Sequence, residues 1–137
     1  MHKLDQRLIG FITLFENLTM AKIKDAFIDK KERVVFIVDE GEAGKAIGKN
    51  GSNIKRISKM IKKTIKIIEY SSDVIEFIKS IIDPIKADSY DLNDNTVIIK
   101  SKDLHIKAML IGRDRRNLIE LNELVKKYFN NIDVKVG

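Results

Sequence analysis

Apolar residues in this chain recur at two spacings, and the two alternate. Leu4, Leu8, Phe11, Ile12 and Phe15 fall on one side of a helical wheel, which predicts an amphipathic helix over 4–17. A short strand is expected at 22–28. After the polar turn Asp29-Lys30-Lys31-Glu32, the run Val34-Val35-Phe36-Ile37-Val38 has no polar position and reads as a buried strand. Glycines then punctuate the chain, from Gly41 through Gly44 and Gly48 to Gly51. Ile54, Ile57 and Ile61 return to helical spacing. Ile65 and Ile67 alternate with polar neighbours in a strand ending near Tyr70. The order is helix, strand, strand, helix, helix, strand.

The same order then begins again. Val74, Ile78 and Ile81 predict a helix stopped at Asp83-Pro84. Strands are expected at 85–91 and 96–100, joined by the turn Asn93-Asp94-Asn95. Helical patterns follow at 103–111 and through Leu118, Leu121, Leu124 and Tyr128, and Ile132 to Val136 alternates as a last strand. A shift of 112 − 48 = 64 residues lays Ile47-Gly48 over Ile111-Gly112, Lys49 over Arg113 and Asn53 over Asn117. Ile54 then meets Leu118, Lys62-Lys63 meets Lys126-Lys127, and Val34-Val35 meets Ile98-Ile99. The chain reads as a tandem repeat, with domains at 1–72 and 73–137. Only Ser71-Ser72-Asp73 join them. Units of about 70 residues are marginal alone, so the two are expected to pack in a fixed relative orientation.

Composition narrows the function classes. With 44% hydrophobic and 34% charged residues, the chain is too apolar for a disordered tail. It holds no apolar run of membrane-spanning length and opens on no signal peptide, so a cytoplasmic, membrane-free protein is expected. Zero Cys removes disulfides, thiolate metal sites and Cys nucleophiles, and two His argue against a His-rich metal centre. Net charge is 26 − 20 = +6, and residues 1–72 carry all of it, 15 Lys/Arg against 9 Asp/Glu. From Ala43 to Lys63 the chain holds seven cations (Lys45, Lys49, Lys55, Arg56, Lys59, Lys62 and Lys63) and no acid. Lys55, Lys59, Lys62 and Lys63 share one predicted helix face. Such a block is either a solvated face or an electrostatic footprint for a polyanion.

The tetrapeptide Gly48-Lys49-Asn50-Gly51 lies between two predicted helices. Two readings stand side by side. Glycines permit a tight helix–helix turn. They also let a phosphate approach backbone N–H groups, next to the positive end of the helix that starts at or just after Gly51. A Walker A loop is excluded, because Gly44 and Gly48 enclose three residues rather than four and Asn50 follows Lys49. Asp39, Glu40 and Glu42 lie near the loop with no nucleophile or metal set beside them. No catalytic residue, metal or cofactor is expected.

The stretch Ala46-Ile47-Gly48-Lys49-Asn50-Gly51-Ser52-Asn53-Ile54-Lys55-Arg56, the element order and the duplication together resemble tandem type II KH domains. In pairing and length they resemble the archaeal NusA-like transcription elongation/termination factors. The resemblance implies an α/β (α+β) fold in which each copy is α-β-β-α-α-β, with a three-stranded sheet packed on helices. It implies binding of single-stranded RNA, about four nucleotides clamped across the loop, with RNA polymerase as a further partner. Ribosome assembly, RNA processing or a protein-interaction scaffold are the alternative roles. The chain has no residues to spare for the polymerase-binding and S1 domains of bacterial relatives. RNA-contacting residues are expected to be Ile47, Gly48, Lys49, Asn50, Gly51, Ser52, Asn53, Lys55, Arg56 and Lys59. In the second copy they are Gly112, Arg113, Arg116 and Asn117. There Arg115 stands where the second glycine would be and Asp114 places an acid at the tip, so that copy is expected to contribute less. Ile47 and Ile54 fit the helix stripes and are expected in the core more than on a base.

Overall fold

In a computed structural model that describes residues 6–137, the first repeat runs α1 (Gln6–Thr19), β1 (Ile23–Ile28), β2 (Val34–Val38), α2 (Ala43–Ile47), α3 (Ser52–Ile61) and β3 (Ile65–Glu69). The second runs α4 (Val74–Ile82), β4 (Ser89–Asn93), β5 (Thr96–Lys100), α5 (Leu104–Ile111), α6 (Arg116–Tyr128) and β6 (Asp133–Val136). The chain divides into two compact units after Ser71. Leu4, the first apolar residue of the predicted opening helix, lies outside the described residues.

Each unit carries a three-stranded mixed sheet with the hairpin's second strand in the centre, ordered β1-β2-β3 and β4-β5-β6. The hairpin pairs are antiparallel, with Phe27 opposite Val35 and Tyr90 opposite Ile99. The last strand of each unit joins parallel, with Val34 opposite Ile65 and Val97 opposite Val134. A parallel return needs a crossover, and the helix pair of each unit supplies it. That pair carries the glycine loop, so the crossover itself positions the site.

β2 is buried at all five positions, as its unbroken apolar run predicts. Val34, Phe36 and Val38 face a core built with Leu8, Phe15, Ala46 and Ile57, where Phe15 stacks on Phe36 with ring centroids 4.3 Å apart. In the second unit Val97 and Ile99 meet Val74, Ile78, Leu110, Leu118, Leu121, Val125 and Val134. Both cores therefore lie between the sheet and the helices. Among the described residues no helix is long and apolar enough to cross a membrane.

Three sequence expectations change. The strand expected at 85–91 starts only at Ser89, because its partner β5 ends at Lys100, opposite Ser89. Upstream, the Ile85 N–H turns back to the Ile82 carbonyl at 2.9 Å, so 85–88 remain irregular. The face Lys55-Lys59-Lys62-Lys63 is broken, since α3 ends at Ile61 and Lys62 takes a left-handed φ of 57°. The overlay of Lys62-Lys63 on Lys126-Lys127 fails for the same reason: α6 has 13 residues to the 10 of α3, and Lys126 and Lys127 still lie within it.

Candidate nucleic-acid interface

α2 stops at Ile47 because Gly48 turns the chain at φ 76°, ψ 169°. That region is nearly closed to any residue with a side chain. A Cβ at Gly48 would also lie 2.9 Å from the backbone nitrogen and side-chain atoms of Asn53. Asn53 is there because its Nδ2 donates to the Lys45 carbonyl at 2.8 Å, bridging from the first turn of α3 back to the end of α2. The loop's first glycine thus has a packing reason independent of any ligand.

Lys49–Gly51 form a single 3-10 turn, closed by the Gly51 N–H donating to the Gly48 carbonyl at 3.1 Å. Asn50 (φ 56°, ψ 29°) and Gly51 (φ 73°, ψ 17°) are left-handed. The N–H groups of Lys49 and Asn50 open this turn and have no preceding helical carbonyl to bond. They sit at the tip with the start of α3, whose first turn has no acid. Lys49, Asn50, Ser52, Lys55, Arg56 and Lys59 are exposed, while Gly48, Gly51 and Asn53 are half-buried. Ile54 packs against the core. Ile47, expected there too, is instead 38% exposed beside the loop, since the turn at Gly48 leaves it on the outer side of α2.

The second loop repeats this backbone closely. Gly112 takes φ 75°, ψ 168°, Asp114 takes 55°, 30°, and Arg115 takes 62°, 18°. Asn117 Nδ2 donates to the Met109 carbonyl at 2.8 Å, as Asn53 does to Lys45. Arg115 therefore adopts the left-handed conformation of Gly51 despite its Cβ. Arg113, Asp114, Arg115 and Arg116 are exposed.

One residue near the loop has a role the spacing did not disclose. Glu42 accepts the Lys22 N–H at 3.1 Å through Oε1, and its Oε2 lies 3.3 Å from Lys45 Nζ. The Lys22 hydrogen bond, aided by Lys45, holds the Glu42 carboxyl below its ordinary value against an opposing effect of burial. Lys45 is thus ion-paired, leaving Lys49, Lys55, Arg56 and Lys59 as the cations around the loop. Asn122 is a second residue without a sequence signal: its Oδ1 accepts the Val134 N–H at 2.8 Å and its Nδ2 donates to the Val134 carbonyl at 2.9 Å, tying β6 to α6. A hollow of about 520 Å³ in the second unit, lined by Lys79, Asp83, Lys86 and Tyr90 among others, includes no loop residue.

Comparison with known proteins agrees with this geometry. Over 53 residues, 39% of this chain, the sequence is 47% identical to a probable transcription termination protein NusA of Methanococcus vannielii. Over 47 residues, 34% of this chain, it is 49% identical to the protein of the same name from Methanocaldococcus jannaschii. The matches span 30% and 24% of those relatives' own lengths. A solved structure, the crystal structure of APE1850, superposes with a TM-score of 0.70 at 27% identity, covering 98% of this chain and 100% of that one. Residues 12–87, more than half of the 137, match the KH domain family. With the element order, the mixed sheet and the glycine loop between crossover helices, the chain belongs to the KH-domain family.

Proposed function

We propose that this protein binds single-stranded RNA without catalysing a reaction on it, and that it acts on nascent transcripts in elongation, termination or antitermination. One observation carries the reading. The loop Gly48-Lys49-Asn50-Gly51 presents at its tip a lysine and the Lys49 and Asn50 N–H groups, which its 3-10 turn leaves without a helical carbonyl, at the head of a helix whose exposed cations meet no acid in its first turn. Phosphates satisfy those N–H groups and the adjoining dipole. Lys55, Arg56 and Lys59 extend the electrostatic track along α3. Exposed Ile47 offers apolar surface to a base, and Asn53 acts chiefly by bracing the loop. Gly112, Arg113, Arg116 and Asn117 give the second unit a lesser share. The role in transcription rests on the names of the two archaeal relatives, while a cytoplasmic setting and contact with RNA polymerase are carried only by the resemblance to NusA-like factors.

The test is titration with an unstructured oligoribonucleotide. Replacing Lys49 and Asn50 together by Asp is expected to abolish binding and leave the melting curve in place, because both side chains are exposed. Affinity of the wild type should fall with salt at a log–log slope of about −0.7 per phosphate neutralised. A flat salt response, or unaltered binding by the double variant, would sink the reading. Crosslinking in cells should then recover nascent transcripts; recovery of ribosomal RNA alone would move the protein to ribosome assembly.

A further inference from the structure

The two units share a loop conformation but not the surface around it. With Gly112 laid over Gly48, the cations flanking the first loop are all replaced. Lys45, Lys55, Arg56 and Lys59 give way to Met109, Ile119, Glu120 and Glu123, and Asn50 at the tip becomes Asp114. Met109 is 36% exposed and Ile119 46%. The hydrogen bond from Asn117 Nδ2 to the Met109 carbonyl holds the end of α5 against the first turn of α6, so both apolar side chains flank one loop.

α5 itself is unusual. Its inner side is apolar, with Leu110 in the core and Ile106 packed against it. Its outer side also carries exposed Leu104, Ala108 and Met109, with Leu104 at 77%. His105 is exposed beside them and Lys107 is half-buried on the same helix, yet the exposed apolar side chains outnumber these, and clustered exposed apolar side chains mark an interaction surface. The equivalent α2 is different: its exposed residues are Gly44, Lys45 and Ile47. At the C-terminal end of α5, exposed Arg113, Arg115 and Arg116 surround the single acid Asp114.

We propose that the outer face of α5, from Leu104 to Met109 together with Ile119, is a docking surface for a protein segment that lays apolar side chains on the helix and presents carboxylates to Arg113, Arg115 and Arg116. Charge complementarity selects this occupant. An RNA strand laid as on the first unit would bring phosphates against Glu120, Glu123 and Asp114, where the first loop offers Arg56, Lys59 and a neutral asparagine. A protein segment needs its acids only at the loop, where Arg113, Arg115 and Arg116 outnumber Asp114. The apolar centre supplies the buried contact that protein interfaces require. This surface stands or falls independently of RNA binding by the first loop.

A displayed random-peptide library, panned on the full chain and in parallel on the double variant Leu104→Asp/Met109→Lys, tests the assignment. Should that variant lose its wild-type melting curve, Ile119→Lys, at another exposed position, takes its place. Peptides enriched on the wild type are expected to combine apolar residues with Asp or Glu, to shift the Met109 methyl resonance, and to bind the variant about tenfold more weakly or worse. Equal enrichment on wild type and variant, or enriched peptides without acids, overturns the proposal. So does weaker binding of an unstructured oligoribonucleotide by the Leu104→Asp/Met109→Lys variant, which would return this face to RNA.

Discussion

The two glycines of the first loop do different work, and the second loop separates them. Gly48 and its counterpart Gly112 occupy a backbone region that a Cβ closes off, and each has an asparagine nitrogen where that Cβ would go. Gly51 needs only a left-handed φ, which Arg115 also adopts. Gly48→Ala is therefore expected to destabilise the fold by about 2 kcal/mol or more. Arg115→Gly should stabilise it by about 1 kcal/mol through relief of the left-handed strain. Denaturant midpoints of the two variants check both signs. Glu42 adds a pH dependence of known direction. Its folded carboxyl is lowered, so its contribution is complete above the ordinary carboxylate range and disappears as pH falls through the lowered value. Acid melts of wild type and Glu42→Gln should differ near neutrality and converge only once pH has fallen through the lowered Glu42 value.

At the scale of elements, each helix pair is held by side-chain amides acting on backbone. Asn53 and Asn117 bridge the loops, while Asn122 bonds both the N–H and the carbonyl of Val134 and so attaches the parallel strand. Removing a half-buried side chain with two or more such bonds costs more than removing one. Asn122→Ala is expected to lose about 2 kcal/mol and Asn53→Ala about 1 kcal/mol by chemical denaturation. Asn53→Ala should in addition weaken RNA binding, since the loop loses its brace; unchanged affinity would show that the loop holds its shape without it. These residues were only partly legible in the sequence. The matching asparagines at 53 and 117 stood out, but as RNA contacts. Their bracing role depends on a carbonyl eight residues back that only the folded turn brings within reach.

At the scale of the whole molecule, a duplicated scaffold carries an unequal charge. The net +6 lies entirely in residues 1–72. Neutralising Lys49, Lys55 and Arg56 to Gln is expected to flatten the salt slope of RNA binding by about 2 in total, at about 0.7 per lost phosphate contact. Arg113→Gln/Arg116→Gln should change it by less than the roughly 1.4 that two full contacts would give by the same arithmetic, since the second unit contributes less. Titrations across a salt series distinguish the two. Equal effects would mean that both units grip RNA alike.

Element order, the buried central strand, the repeat and the loop followed from the sequence alone, because each rests on local rules: period 3.6 or 2, glycine at a turn, like residues at a fixed offset. Tertiary structure decided what depends on residues far apart in the chain. The Lys62-Lys63 extension of the basic face ended where α3 turned left-handed. The start of β4 was set by where β5 offered a partner. Ile47, apolar and in stripe, came out to the surface because Gly48 ended its helix. Met109 and Ile119 are apolar residues of predicted helices; burial, not periodicity, revealed that their side chains face outward.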